Sequence, residues 1–276
     1  MLFLMISMAI FSVSPRLRFR GGFKSIRSAR KASRGSEDAY HIGEGLLAIA
    51  DGVGGWLTAE NGEGANPAKV ARTLVDVAAS AQESDARFSK NPKKLLEAAA
   101  EAASNIKGSA TFMLATLDES ERSLKYSYVG DVVLLLFAPL ENHFSSAKPG
   151  DFGLILQSEE QLHELNHPYQ LGTHGSPPSV AELRSYDVDP GDLVLLVTQS
   201  VVQNLYPEEI ESIVTVHHKS SRNPTDIATA LAEKARRVSV DRRADTPFAR
   251  ASRKTTAPHT GGRPDDITVV AAYVEE

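Results

Sequence analysis

The spacing of apolar residues changes character several times along the chain. At Leu46-Leu47-Ala48-Ile49-Ala50 five consecutive apolar residues, too few for a helix, run into Asp51-Gly52-Val53-Gly54-Gly55-Trp56. This predicts a buried strand that ends in a turn and carries one carboxylate at its tip. A helical period follows: Asn66-Pro67 offers an N-cap and a first-turn proline, and Val70, Leu74, Val77 and Ala81 recur on one face, predicting a helix from Pro67 to Gln82. The same device opens a second helix at Asn91-Pro92, with Leu95, Leu96, Ala99, Ala103 and Ile106 inward, and a third at Asn223-Pro224, with Ile227, Leu231 and Val238 inward. The alanines on these faces permit close packing on a sheet.

Between the second and third helices the pattern reads as strands at Ser109 to Leu117, Leu124 to Val129, Val132 to Ala138, Phe152 to Gln157 and Leu193 to Thr198, broken by Gly, Asp and Pro turns. Asp189-Pro190-Gly191-Asp192 reads as one such tight turn. A last strand spans Ile267 to Val274. Helices early and late around a run of strands predict an α+β layered fold. There is no repeat of fixed period and no linker-like composition after Gly35, so one domain is expected over 35–276.

The first 34 residues differ. Met1 to Val13 is nearly all apolar, and Arg16, Arg18, Arg20, Lys24, Arg27, Arg30, Lys31 and Arg34 follow with no acid before Glu37. The apolar run is short for a membrane span and lies on the wrong side of its charges for a secretory signal. An Arg- and Ser-rich, acid-free leader is expected to be a mitochondrial targeting segment over 1–34, the other readings being a basic tail or a weak membrane anchor. No integral membrane span is expected. The formal net charge is −5 with these cations included, so the remainder is more acidic still, which argues against a nucleic-acid partner. There is no cysteine, which excludes disulfides and thiolate mechanisms, and neither a P-loop nor a His-Glu-x-x-His motif occurs.

Chemistry concentrates in acids. Asp51 at the mouth of a buried strand offers a hard anionic oxygen, and Gly52, lacking a side chain, lets its own carbonyl approach the same cation. Alternatively, Asp51 starts an Asx turn and the glycines only make a loop. Glu37-Asp38 and Asp265-Asp266 are adjacent acid pairs beside strand-like runs, and such pairs repel unless a cation lies between them.

These residues resemble a family, the metal-dependent serine/threonine protein phosphatases of type 2C, and in particular its mitochondrial branch. The matching pieces are Glu37-Asp38, Ala50-Asp51-Gly52-Val53-Gly54-Gly55-Trp56, Gly108-Ser109-Ala110-Thr111, Gly130-Asp131, His167-Pro168-Tyr169-Gln170-Leu171, Pro247-Phe248 and Gly261 to Val269, in the family's order. The resemblance implies a four-layer α-β-β-α sandwich, two antiparallel sheets flanked by helix pairs, with a two-metal centre at one end. It also implies that a metal-activated water attacks the phosphoserine or phosphothreonine of a phosphoprotein substrate. Residue by residue, Asp51 would bridge both metals, the Gly52 carbonyl and Glu37 would serve one, and Asp265 the other. Asp38 and Asp266 would orient metal-bound waters, and Asp131 would belong to a further, weaker metal site. Oxygen-only ligation points to Mg²⁺ or Mn²⁺. Arg34 is a candidate phosphate clamp, or else the end of a solvated basic tail.

One departure bears on activity. After Thr198 the family has Asp-Gly, with a further acid before the asparagine; here those places hold Gln199-Ser200 and Gln203. Gln199 can offer a carbonyl oxygen but no charge, which predicts that one of the two metals is weakened or lost. Val53 stands where many members have a histidine, so protonation of the leaving group would fall to water. His163 and His167, on a helix-like turn, are read as structural. Two expectations follow: a phosphatase weakened at Gln199, or a pseudophosphatase that binds phosphoproteins or scaffolds a partner.

Overall fold

The computed structural model describes residues 16–31, 35–57, 60 and 62–276. In chain order its elements begin with β1 (Arg18–Ile26), β2 (Asp38–Ile42), β3 (Leu46–Gly52), α1 (Pro67–Ser84), α2 (Pro92–Ala103), β4 (Ser109–Asp118), β5 (Ser123–Val129), β6 (Val133–Pro139) and β7 (Phe152–Gln157). They continue through β8 (Leu162–Glu164), β9 (His167–Pro168), β10 (Leu171–Gly172), β11 (Glu182–Asp187), β12 (Leu193–Val197), α3 (Gln199–Asn204), α4 (Pro207–Ser220), α5 (Pro224–Ser239), α6 (Pro247–Ser252) and β13 (Ile267–Glu275). One sheet has five strands in the order β1-β13-β12-β6-β7, and the other has six, in the order β11-β5-β4-β3-β2 with β10 on β4. The pairings in both are antiparallel.

Three apolar layers make this a four-layer α-β-β-α sandwich. Leu46, Ala48 and Ala50 face α1 and α2 with Val70, Leu74, Leu95 and Leu96. Leu47 and Ile49, the alternate residues of β3, face the second sheet with Met113, Leu134, Leu196 and Val270. The outer face of that second sheet, with Leu135, Leu195 and Val269, packs on Ile210, Val214, Ile227 and Leu231 of α4 and α5. A strand covered on both faces has no need of alternation, which is why β3 reads as an unbroken apolar run. The three Asn-Pro helix starts form as expected: the side chains of Asn66, Asn91 and Asn223 accept from the backbone N–H groups of Lys69, Lys94 and Thr225.

Three expectations are corrected. The expected leader boundary at residue 34 falls inside the fold, because Arg18–Ile26 pairs along its whole length with β13, and Leu17 and Phe19 are buried between the sheets. Arginines on the exposed alternate positions hid this period-two strand within a basic composition. The expected helix-like turn at His163 and His167 is instead the β8–β9 hairpin, turned by Asn166 with φ +66°. Ile106 lies beyond the end of α2, though it still packs on the helical layer. The segment after Thr198 and the stretch 207–220, to which the sequence pattern assigned no element, are helical, α3 and α4, and α4 with α5 makes the late helix pair that the resemblance implies. Among the described residues no helix is long and apolar enough to cross a membrane.

Candidate metal centre

Strand register alone brings the acids to one end of the sandwich. Across β2 and β3, Asp38 faces Asp51, and across β3 and β4, Asp51 faces Thr111. From the other sheet, Thr268 at the start of β13 reaches over and donates to Asp38 Oδ2 at 2.6 Å. Just before it, Asp265 and Asp266 lie at the same rim. Lys31, Glu37, Asp51, Gly52, Asp131, Gln199 and Asp265 all line one cleft of about 570 Å³. Asp38 and Asp266 do not line it; they stand behind. Arg34 lies outside the described residues.

The acids fall into two kinds. Asp266 is a structural hub: its Oδ1 accepts from Ser28 N–H at 2.7 Å and its Oδ2 from Glu37 N–H at 2.9 Å, tying the end of β1 to the start of β2. The others are less completely partnered. Glu37 is 3% exposed, and its Oε1 has no hydrogen-bond partner. Burial, with the negative charge of Asp266 adding to it, pushes Asp38 up to about 7 in spite of the Thr268 hydrogen bond. Asp51 is held well above the usual carboxylate range by burial and then by Asp38, Asp265 and Asp131. Asp131 is pushed up to about 7, by burial and then by Glu160. Such groups ionise readily only when a cation joins them.

The residue missed in the sequence is Lys31, which closes the single-turn helix Ala29–Lys31 after β1. Its Nζ lies 2.6 Å from Glu37 Oε2, 2.9 Å from Asp265 Oδ1 and 3.4 Å from Asp266 Oδ2. Burial alone would lower this ammonium, but Asp265, Glu37 and Asp266 outweigh it and hold it above the usual lysine range. Among the described residues no three His, Cys, Asp or Glu side chains stand gathered as a ready metal site; Glu37 and Asp265 are turned onto Lys31 instead. The signal in the sequence was a lysine six residues before Glu37 in an otherwise arginine-rich run, and composition alone could not single it out.

The chemistry fits a hard divalent cation. The carboxylate and carbonyl donors are all oxygens, the buried Glu37 Oε1 and Asp38 Oδ1 are unpaired, and the backbone comes close where side chains are missing. A Cβ on Gly52 would stand 2.8 Å from the Glu37 carbonyl oxygen and 2.9 Å from Pro67, and one on Gly54 would stand 2.8 Å from Glu37 Oε2. At Gly52, where the close atoms are backbone, only glycine fits; at Gly54 a side chain would have to displace the Glu37 carboxylate. On the far wall, Asn204 accepts from Arg263 N–H at 2.8 Å and donates to the Arg263 carbonyl at 3.0 Å, which fixes the loop carrying Arg263 into the cleft. The Arg263 guanidinium lies 4.6 Å over the Phe248 ring and bonds to Asn166. Gln199, the first residue of α3, is half-buried beside Glu160, to which its amide hydrogen-bonds.

Comparison with known proteins agrees with this frame. The family model described as Stage II sporulation protein E (SpoIIE) matches residues 45–275. The chain is 32% identical over 263 residues to probable protein phosphatase 2C 80 of Arabidopsis thaliana, covering 94% of this chain and 59% of that protein. It spans about half the length of the curated relatives it matches, at 59%, 49% and 34% in three of them. Its fold superposes on the X-ray structure of the photosystem II phosphatase PBCP with a TM-score of 0.78 at 28% identity, covering 93% of this chain and 99% of that one. The catalytic domain of the serine/threonine phosphatase PstP, solved in complex with two manganese ions, shares the fold at TM-score 0.61 and 18% identity, covering 95% of this chain and 100% of that one. The chain belongs to the SpoIIE-type, type 2C protein phosphatase family.

Proposed function

We propose that this chain is a metal-dependent protein serine/threonine phosphatase that hydrolyses phosphoserine or phosphothreonine in a phosphoprotein. The observation that carries the reading is the convergence of Glu37, Asp51, Gly52 and Asp265 on one cleft, with Asp131 beside them and an unpaired buried oxygen on Glu37. Asp51, the Gly52 carbonyl and Glu37 would hold Mg²⁺ or Mn²⁺; Asp265 would stand on the second side, and Asp131 at a weaker outer one. When bound, such cations supply Lewis acidity, acidifying a water and drawing charge from the phosphoryl group. Asp266 holds the Glu37 backbone from behind by accepting its N–H at 2.9 Å, and Asp38 and Asp266 would orient waters on the cations.

For the phosphate, the cationic groups at the cleft are Lys31 and Arg263. They stand as candidates beside Arg34, which lies outside the described residues, and the clamped backbone of Arg263 favours a fixed guanidinium. Val53 offers no proton, so the leaving serine or threonine oxygen is protonated from solvent.

One observation favours the other reading, a pseudophosphatase that only binds phosphoproteins: Gln199 and Gln203 stand where the resembled family has acids. Mn²⁺-dependent hydrolysis of a phosphothreonine peptide by the native chain, Asp51→Asn and Gln199→Asp separates the two. A native rate that collapses in Asp51→Asn establishes the enzyme. Equal inertness of native and Asp51→Asn, with turnover only in Gln199→Asp, establishes the binding module.

The basic leader supports a mitochondrial location, with one change to the expected boundary. Removal of residues up to 34 would strip β1 and Lys31, so any processing falls before Leu17, whose side chain is buried. Import into isolated mitochondria with N-terminal sequencing of the product tests this; a mature N-terminus beyond Leu17 would sink it.

A further inference from the structure

We propose that Lys31 is itself the second cation of this centre, so that the chain holds one divalent ion on the Asp51–Gly52 side and a tethered ammonium on the Asp265 side. The inference rests on the metal-centre reading above and concerns what fills its second half.

Three carboxylates already ligate the ammonium, at 2.6, 2.9 and 3.4 Å. The first two are the separations of charge-assisted hydrogen bonds. The lysine cannot wander. Ser28, three residues before it, donates its N–H to Asp266 at 2.7 Å, and Lys31 N–H donates to the Ser28 carbonyl at 3.0 Å. The preceding strand is bonded into the sheet up to Ile26. Its side chain is 18% exposed, so its charge is poorly screened.

The neutral Gln199 lines the same cleft. Relative to the resembled pattern, the cleft has lost one negative charge at Gln199, and Lys31 sets a positive one against Asp265. Both changes work against a divalent ion there, and both suit a monovalent one. An ammonium also has three N–H donors, so beyond the carboxylates it can donate to a phosphoryl oxygen. What it cannot do is acidify a water as a divalent ion does. Attack would then depend on the single ion at Asp51, while Lys31 supplies charge and position.

The test counts ions without relying on turnover. Isothermal titration calorimetry and Mn²⁺ electron paramagnetic resonance are run on the full chain as native, Lys31→Met, Lys31→Arg, Lys31→Met with Gln199→Asp, and Asp51→Asn. The native chain should take up one Mn²⁺ tightly, and Asp51→Asn should lose it. Lys31→Met should bind a second Mn²⁺ at least ten-fold more tightly than native, and the double variant more tightly again. Lys31→Arg, which keeps the charge, should stay at one. Metal-free Lys31→Met should melt below native, since Glu37, Asp265 and Asp266 lose their shared counter-charge. Two tight ions in the native chain, none at all, or a Lys31→Met that binds no better than native would each overturn the proposal. Peptide hydrolysis is scored separately: the predicted ion counts without turnover would end the phosphatase reading and leave the place of Lys31 standing.

Discussion

Two aspartates withdrawn from solvent to different degrees, at opposite ends of one sheet, behave in opposite ways. Asp118, the last residue of β4, is 1% exposed and fully partnered: Lys125 Nζ lies 2.8 Å from Oδ2, and Ser120 donates to Oδ1 from its hydroxyl at 2.6 Å and its N–H at 3.0 Å. Burial would raise it, but Lys125 and Ser120 outweigh that and bring it down to about 2. Asp51, at the other end of the neighbouring strand, is held up by burial and by Asp38, Asp265 and Asp131. Desolvation pushes both upward; the partners differ. A buried carboxylate whose partners are complete stabilises the fold, whereas a group of them sharing too little positive charge is set up to take a cation from solution.

The largest effect that could break this contrast is on activity. Asp51→Asn should lower Mn²⁺-dependent kcat/KM by about three orders of magnitude, ~4 kcal/mol of barrier. The same change should leave the metal-free protein as stable as native or more so, because it removes one of several mutually repelling acids. A metal-free Asp51→Asn protein that melts well below native would mean that Asp51 is a structural residue like Asp118.

Asp118→Asn should do the reverse. It removes a charge-assisted pair and leaves Lys125 with Glu121 alone, at 2.8 Å and in a more exposed position, so a loss of about 2 kcal/mol is expected in urea unfolding, with Mn²⁺ affinity unchanged. The pH dependence follows in sign. The folded-state value of Asp118, about 2, lies below the ordinary carboxylate value, so its contribution is present above about pH 4 and is lost as pH falls from there through about 2. That acid limb should be shallower in Asp118→Asn than in native; an identical limb in both would remove Asp118 from the account.

The two ends were not equally legible in the sequence. The Asp51 end could be read because its parts are local and ordered: an unbroken apolar run, an acid, then glycines. Glu37, Asp131 and Asp265 could be placed only by resemblance, since strand register across two sheets, not spacing along the chain, brings them together. Lys31 escaped because its role is defined by contacts with residues up to 235 positions away, while its neighbours suggested an undifferentiated basic leader. β1 was hidden for the same reason, its buried Phe19 and the buried Leu17 just before it being outnumbered by exposed arginines. The Asn-Pro helix starts were legible because a cap is a contact between near neighbours. By contrast α4, which opens at Pro207 behind Tyr206, lacks that Asn-Pro signature.

The smallest effect sharpens the comparison most, because it should carry two signs at once. Gln199→Asp restores an acid at the cleft, so Mn²⁺ affinity should rise. In the metal-free protein the same change removes the amide that hydrogen-bonds to Glu160 and puts a carboxylate against a carboxylate. Lys31, already shared among Glu37, Asp265 and Asp266, has little charge left to offset it. The metal-free variant should therefore unfold about 1 kcal/mol more easily than native. Saturating Mn²⁺ should reverse that order, since an ion binding only the folded state stabilises in proportion to the logarithm of its affinity. Thermal melts with chelator and with Mn²⁺ read both signs in one experiment. A metal-free Gln199→Asp protein that is more stable than native would show that this end has positive charge to spare, and that its carboxylates are partnered as fully as Asp118.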